Sequence, residues 1–461
     1  MEVFGIFLSL GLLMLFAYRG FSVILFAPVF AILAAALSGL PLLPTYTELF
    51  MPQAVGYVKL YFPVFMLGAV FGKVMEETGL AKSIAHHLVK KLGKERGILS
   101  IVLSCVILTY GGISLFVVVF AVYPFAAALF REAQIPKRLI PGAVALGAFT
   151  ATMDSFPGSP QIQNVIPTTF FGTTTWAAPV SGLIGGALVL ICGYLYLTWR
   201  VKQAAAKGEG YGGHTLNEPT AEDSGNERLA SFWVALLPLL TVLVLNYILS
   251  VKFIWDPSVL DAYKGVSIST VKGIWSLIIS LIVGIVLAVV FGWQKLGSSA
   301  SLAKTLNAGA IGSLLAIMNT ASEVGYGNVI KTLSGFSHVR DALLSIKLGG
   351  TPLVSEAVAV NVLAGITGSA SGGMSIALGM MGKTYLEWAN AVGLNPEMLH
   401  RVAAMASGGM DTLPHNGAVI TLLAVCGLTH KESYKDIFAI TCIKTIMVFV
   451  VILIHTLTGL V

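Results

Sequence analysis

One short polar phrase occurs twice in an otherwise apolar chain, at residues 153–160 and 410–417. Each copy reads Met-Asp-x-x-Pro and is followed by further helix breakers. A second phrase, Gly-Gly-x-Ser, precedes each copy, at 111–114 and at 372–375. Carboxylates and interrupted helices are costly at membrane depth, where they typically mark transport or ion sites. Two copies predict one site that is built from two halves.

The composition places these phrases inside a membrane. Hydrophobic residues make up 56% of the chain and charged residues 11%, and the mean hydropathy is +0.85. Soluble domains do not normally reach such values, and about 20 apolar residues span a bilayer as a helix. We therefore predict an all-α polytopic membrane protein that contacts the lipid bilayer. Apolar runs that could span occur near residues 3–17, 21–39, 55–75, 177–199, 229–250, 271–292, 305–322 and 436–460.

The cysteines are scattered through apolar segments, without the spacing of a metal site or a disulfide framework. We expect no metal site and no cofactor. The net charge of +6 comes largely from basic clusters that fall between apolar runs, so it informs on topology and argues against nucleic acid as a partner. These clusters are Arg19; Lys82 to Arg96; Arg131, Lys137 and Arg138; Arg200, Lys202 and Lys207; and Lys431 with Lys435.

Placing every basic cluster in the cytoplasm satisfies the positive-inside rule. Residues 98–130 are then flanked by cytoplasmic charges on both sides, so we predict a re-entrant helical hairpin. Its tip lies at residues 109–114, where paired glycines allow the backbone to reverse close to a ligand.

The second half repeats the same order of features. A hairpin at 352–390 corresponds to the one at 98–130, and a broken helix at 398–427 corresponds to one at 139–175. Counting spans from the basic loops gives the two halves opposite orientations, which is typical of secondary transporters with inverted repeats. The predicted units are a first repeat at 1–200, a mobile cytoplasmic linker at 201–228 and a second repeat at 229–461.

The hairpin tips and the breaks supply the predicted substrate site. Half-helix amino ends offer free N–H groups to an anion, and nearby neutral side chains can orient a carboxylate or hydroxyl. A single serine in such a segment more often forms a hydrogen bond between helices than a contact with a ligand. The candidate substrate-binding residues are Thr109, Gly111, Gly112, Ser114, Ser155, Gly158, Ser159, Ser371, Gly372, Gly373, Ser375, Thr412, His415 and Asn416.

Asp154, Asp411 and His415 are the candidate ion-coupling groups. Ionised carboxylates would repel an anionic substrate, so either aspartate could carry a proton or balance a sodium ion. His415 lies inside the second break and is the other titratable candidate, because an unperturbed histidine changes charge near neutral pH; a packing role is equally compatible with its position. The alternative interpretation is a simple proline kink in which Asp154 bonds to the backbone. It could explain one copy of the phrase, but the second copy, with its own Asp411, argues against it.

Three glutamates lie near the ends of apolar stretches. We expect solvated or capping roles for Glu77 and Glu323, which close spans, and an ion pair between Lys73 and Glu77 one turn apart. Glu356 lies in the first arm of the second hairpin and is a weaker candidate for an ion path.

The chain resembles the gluconate permease (GntP) family of the ion transporter superfamily. The resemblance is carried by Gly72-Lys73, by Thr78 to Ala85, by the tip at Tyr110 to Ser114 and by the break at Pro157 to Pro160. It implies inverted repeats, paired hairpins, elevator-type movement, a homodimer and a bacterial cytoplasmic (inner) membrane location. It also implies proton-driven symport of small carboxylates.

Two departures bear on the substrate. Sugar-acid members of the family carry a histidine near the first break, where this chain has Met153-Asp154, and an acidic residue at the hairpin tip, where it has Gly111-Gly112. In these two respects the chain resembles the branch of the family that is associated with short hydroxycarboxylates such as 3-hydroxybutyrate. We therefore expect a non-enzymatic importer of such an acid, or of a sugar acid such as gluconate.

Three alternatives stay open at this point. Sodium could replace the proton as coupling ion. Two membrane aspartates could instead belong to an intramembrane aspartyl protease. Such an enzyme resembles this chain only weakly, because it requires Gly-x-Gly-Asp where residues 408–411 read Gly-Gly-Met-Asp. A channel is the third alternative, although glycine-tipped hairpins around broken helices fit alternating access better.

Overall fold

The computed structural model describes residues 2–19, 21–219, 229–263, 266–346, 348–414 and 416–461. Within these ranges the regular elements are helices, as the composition predicts. Six of them are long and apolar enough to cross a membrane. Each apolar run recognised in the sequence coincides with the body of one helix.

The first half runs from the amino terminus to residue 206. Its helices are α1 Glu2–Tyr18, α2 Val23–Leu37, α3 Leu42–Glu77, α4 Leu80–Leu92, α5 Gly97–Tyr110, α6 Leu115–Glu132, α7 Ile140–Ala148, α8 Ala151–Asp154, α9 Ile162–Phe171 and α10 Pro179–Ala206.

The second half has helices of the same kind in the same order. They are α11 Phe232–Lys252, α12 Ile268–Leu296, α13 Ser299–Thr332, α14 Phe336–Leu344, α15 Leu353–Thr367, α16 Ala370–Ala391, α17 Pro396–Gly409, α18 Gly417–Cys426 and α19 His430–Thr458.

The long helices α3 and α13 lie against each other and run antiparallel. A methyl group added at Gly309, early in α13, would lie 2.6 Å from the Cα of Val70, late in α3. One added at Gly325, late in α13, would lie 2.9 Å from the ring of Phe50, early in α3. Small residues allow this close approach, as is usual between membrane helices.

The last helices of the two halves, α10 and α19, are also antiparallel neighbours. The backbone N–H of Val180 donates to the Val461 carbonyl at 3.2 Å, at one end of the pair. At the other end, Arg200 Nε lies 2.6 Å from Asp436 Oδ1. Matching helices of the two halves therefore meet in opposite directions.

The remaining contacts between the halves are reciprocal. The second segment of each broken helix packs on the second hairpin arm of the other half, α9 on α16 and α18 on α6. Likewise, α11 packs on α4 and α1 on α14. The hairpins and breaks are thereby interleaved rather than held in separate halves.

The segment that joins the halves is docked where it is described. Lys202 lies inside α10, so the helix extends beyond the start of the predicted linker. Arg138 Nε contacts Glu209 at 2.6 Å, and this guanidinium lowers the pKa of the Glu209 carboxyl. Lys137 Nζ lies 2.7 Å from Glu218. These ion pairs dock the joining segment on the first half as far as it is described, and its mobility stays a prediction; residues 220–228 lie outside the described residues.

The α3–α13 contact predicts a position-specific effect of added volume. Gly309→Val should lower the melting temperature in detergent, because overpacking a tight helix contact costs about 1–3 kcal/mol. Gly312→Val is the matched control, since nothing lies within 4 Å of a methyl group placed there. Equal melting temperatures for the two variants would contradict the described contact.

Candidate functional site

The first hairpin, α5–α6, turns at residues 111–114, where the sequence predicts its tip. Gly112 has φ +98°, a conformation that glycine adopts without strain. A methyl group there would lie 2.9 Å from Cγ of Pro160, so the tip touches the first break. Gly111 packs on α11 instead, and Ser114 begins α6 without capping it through its hydroxyl.

Side chains of the first break hold this tip. Gln161 donates from Nε2 to the carbonyls of Thr109 and Ile113, at 2.8 and 3.2 Å. The Tyr110 hydroxyl donates to the Pro157 carbonyl at 2.7 Å. The hairpin end and the break therefore form one bonded unit, and the Thr109 backbone already has a protein partner.

The second hairpin turns earlier than the sequence predicts. Gly368, at φ +66°, ends α15, and the Ser369 hydroxyl accepts the Gly372 N–H at 3.1 Å to cap α16. Placing the tip at Gly372-Gly373 is therefore wrong, because both glycines lie in the first turns of α16. Glycine at position 373 allows α15 and α16 to pack closely, since a side chain there would overlap the backbone of Ala364 in α15.

The second break holds the second tip as the first break holds the first. Asn416 donates from Nδ2 to the Gly368 carbonyl at 2.8 Å and to Asp411 Oδ1 at 2.8 Å. Asp411 Oδ1 also accepts the Ala370 N–H at 3.1 Å. Asn416 and Gln161 each precede the second segment of a broken helix, so equivalent positions perform this task.

Many hydroxyls predicted as ligand donors already have protein partners. The pairs are Ser155 with Asp154, Ser159 with the Thr152 carbonyl, Ser375 with the Ser371 carbonyl, and Thr412 with Thr441. Gly158 adopts φ +80° beside Trp176, which leaves no room for a side chain. His415 lies outside the described residues. A ligand would have to compete for most of these hydroxyls.

Asp154 forms a buried ion pair with a lysine of α19. Lys444 Nζ lies 3.3 Å from Asp154 Oδ2, and both side chains are 3% exposed. Lys444 also donates to the Phe149 carbonyl, which closes α7. A cation at this position is favoured by the negative end of the helix dipole. A side chain at Gly408 would overlap the pair, so α17 passes directly over it.

Arg401 of α17 holds the other side of the first break and is fully buried. Its guanidinium donates to the Ala177 carbonyl at 2.6 Å, to the Asp154 carbonyl at 3.1 Å and to Asn164 Oδ1 at 3.0 Å. Neighbouring His400 contacts the same Asn164 oxygen at 3.1 Å. Cations of the second half thus satisfy carbonyls that the breaks of the first half release.

Of the two aspartates, Asp154 forms the ion pair with Lys444. Asp411 is bonded to Ala370 and Asn416 instead and lies only within electrostatic range of the Lys444 ammonium. Sequence reasoning missed Lys444 and Arg401, although each is a lone basic residue at membrane depth, which is itself a functional signal. Lys444 is hidden in an apolar run, and Arg401 precedes the second phrase.

The glutamates separate into different roles. Glu77 ends α3 and pairs with Lys73 at 2.9 Å, as predicted. The expectation that Glu323 closes a span is wrong, because α13 continues to Thr332 and leaves this side chain 2% exposed. Glu356 is fully buried in the first turn of α15, and neither carboxyl oxygen has a hydrogen-bond partner in the described chain.

Residues 1–458 match a family described as GntP family permease. An uncharacterized transporter of Bacillus subtilis (strain 168), YxjC, is 52% identical over 476 residues that cover 100% of both chains. The expectation that the chain is not an enzyme is therefore confirmed, and the protease alternative is excluded.

Two solved transporters are similar in fold. The YdaH transporter of Alcanivorax borkumensis is 14% identical, with a TM-score of 0.57 over 88% of this chain and 87% of that one. MtrF of Neisseria gonorrhoeae, described with a class of antimetabolite efflux pumps, is 13% identical, with a TM-score of 0.54 over 87% and 84%. At these identities the likeness concerns the fold alone.

The buried ion pair predicts non-additive effects on stability. Asp154→Asn or Lys444→Met alone should destabilise by roughly 3–5 kcal/mol, because each leaves a buried charge without its partner. The double variant should lose less than either single variant, as measured by thermal unfolding in detergent.

The exposed pair Lys383–Glu387, at 3.8 Å, provides the control. Neutralising both of its members should change stability by no more than about 1 kcal/mol. Additive losses in the Asp154 and Lys444 series would show that the two side chains are not paired.

Proposed function

Because the chain belongs to the GntP permease family and is a multi-pass membrane transporter, we propose that it is a secondary active symporter of small hydroxycarboxylates, coupled to protons. The substrate would be a short acid such as 3-hydroxybutyrate or a sugar acid such as gluconate. The observation that carries this proposal is the buried Asp154–Lys444 pair, at the point where both breaks meet.

One ammonium can balance only one carboxylate in a low-dielectric site. A substrate carboxylate that binds Lys444 competes with Asp154, and two unbalanced carboxylates there would be costly. Asp154 would therefore take up a proton as the substrate binds. Substrate and proton then enter the site together, which is the stoichiometric basis of symport.

Arg401 favours an anion in the same region. Its hydrogen bonds in the described structure go to neutral acceptors, two carbonyls and the amide oxygen of Asn164, so its charge is not cancelled by a direct carboxylate partner. The positive potential of a buried guanidinium favours an anion in the region. Because its donors are already bonded, Arg401 would act as a positioning residue of the first break, and Lys444 would remain the cation for which the substrate and Asp154 compete.

An inverted-repeat elevator mechanism is part of the proposal. It is supported by the antiparallel pairing of α3 with α13 and of α10 with α19, and by the reciprocal packing of the hairpins. In this mechanism, repeats at 1–200 and 229–461 are joined by a cytoplasmic linker at 201–228, and hairpins and broken helices move together. Homodimerisation and a bacterial inner-membrane location follow from the family resemblance.

Gradient-driven uptake into proteoliposomes tests the coupling. With labelled 3-hydroxybutyrate and gluconate, we expect accumulation when the interior is made alkaline and no accumulation under a sodium gradient at equal pH. Accumulation driven by sodium alone would replace the proton with sodium as coupling ion. Equilibration without accumulation under either gradient would favour a channel.

Substitutions in the pair test its role in transport. Lys444→Met should abolish saturable uptake, because the substrate loses its cation. Asp154→Asn should retain exchange of labelled for unlabelled substrate but lose the response to the pH gradient, and Asp411→Asn tests the second aspartate in the same way. Lys383→Met, an exposed lysine of α16, is the control. Intact proton-driven uptake in both aspartate variants would disprove their coupling role.

A further inference from the structure

A buried carboxyl outside the Asp154–Lys444 site faces the tip of the second hairpin. Glu323 projects from the last third of α13, and a side chain at Gly372 of α16 would overlap its Oε2 atom. Glycine at position 372 therefore makes the space that the carboxyl occupies. Neither group belongs to the ion pair described above.

The surroundings of Glu323 are polar but uncharged. The Ser369 hydroxyl interacts with the carboxyl, while Oε2 has no hydrogen-bond partner in the described chain. Thr320 of α13 lies 3.4 Å from Ser371 of α16, between hydroxyl oxygens. The Tyr57 hydroxyl of α3 is also buried without a partner in the described chain. The tip thus packs against polar side chains of α3 and α13.

No cation among the described residues balances Glu323. An ionised carboxylate held in such a place costs several kcal/mol, so the group stays neutral while the hairpin is docked. Moving the hairpin tip away would admit water and allow ionisation. Docking and protonation are therefore linked, with the docked arrangement favoured at low pH and lost as pH rises.

We propose that Glu323 is a proton-binding site on which docking of the second hairpin depends. The proton is held when α16 lies on α3 and α13, and it is released when they separate. This site is additional to Asp154, and its protonation is expressed in the position of the hairpin rather than in substrate binding.

Few other ionisable groups of the described residues lie near Glu323. From α3, Tyr57 and Tyr61 face the site, and tyrosine ordinarily titrates near pH 10. From the second break, Asp411 reaches the same tip through the Ala370 N–H. α2 contains no ionisable side chain, and α16 presents serine hydroxyls here. Among the described residues, a pH response below about 9 is thus expected from Glu323 or Asp411, while His415 of the second break lies outside them.

Cysteine accessibility tests the proposal without reference to the substrate. In protein whose native cysteines are replaced by alanine, Ser371→Cys is labelled with a membrane-impermeant maleimide between pH 5 and 9. Rates are divided by those of Ser334→Cys, an exposed position, to remove the titration of the thiol itself. We expect the ratio to rise by up to about tenfold per pH unit, the slope for release of one proton.

Two variants decide whether Glu323 is responsible. Glu323→Gln, a neutral side chain of the same shape, should give a low ratio at every pH, and Gly372→Ala should give a high one because it displaces the carboxyl. The control variant Glu77→Gln, at the exposed end of α3, should keep the slope of the labelling ratio against pH.

A retained slope in Glu323→Gln, or a flat ratio in the parent protein, would overturn the proposal. If Glu323→Gln does not fold, a retained slope in Gly372→Ala overturns it equally. Because the readout needs no transport, this result is independent of whether uptake is proton-coupled.

Discussion

The backbone groups released where helices break at membrane depth must be satisfied by protein, and this requirement organises the centre of the molecule. Water is scarce there, so each free carbonyl or N–H needs a fixed partner. Lys444 and Arg401 bind carbonyls at the ends of α7 and α8, and Gln161 and Asn416 bind carbonyls at the two hairpin ends. Breaks and hairpins consequently depend on each other, and the region behaves as one bonded unit.

The two halves are alike in backbone but unlike in charge. Gln161 and Asn416 perform matching tasks at matching positions, which reflects the common order of helices. The two buried cations beside the first break, Lys444 and Arg401, in contrast both come from the second half. A framework of two like halves thereby acquires an asymmetric electrostatic centre, which would suit the proposed substrate with its single carboxylate.

The buried carboxyls differ in what surrounds them, and this difference separates their proposed roles. Asp154 has an ammonium as partner, so its protonation responds to any anion that competes for that ammonium. Asp411 accepts hydrogen bonds from the tip and from Asn416, which gives it a part in holding the hairpin. Glu323 has neutral neighbours among the described residues and lies against Gly372, so its charge state is proposed to respond to the arrangement of helices.

The sequence by itself determined the all-helical membrane fold, the positions of the breaks, the first hairpin tip and the like order of the two halves, because these follow from hydropathy and from local breakers. Only the tertiary structure decided that Lys444 and Arg401 serve the first break, that the second tip lies at Gly368-Ser369, and that Glu323 is buried against Gly372. These features depend on the register of helices far apart in the chain, such as α19 on α7 and α13 on α16. Hydropathy is nearly uniform along such helices, so it does not specify which residues meet across them.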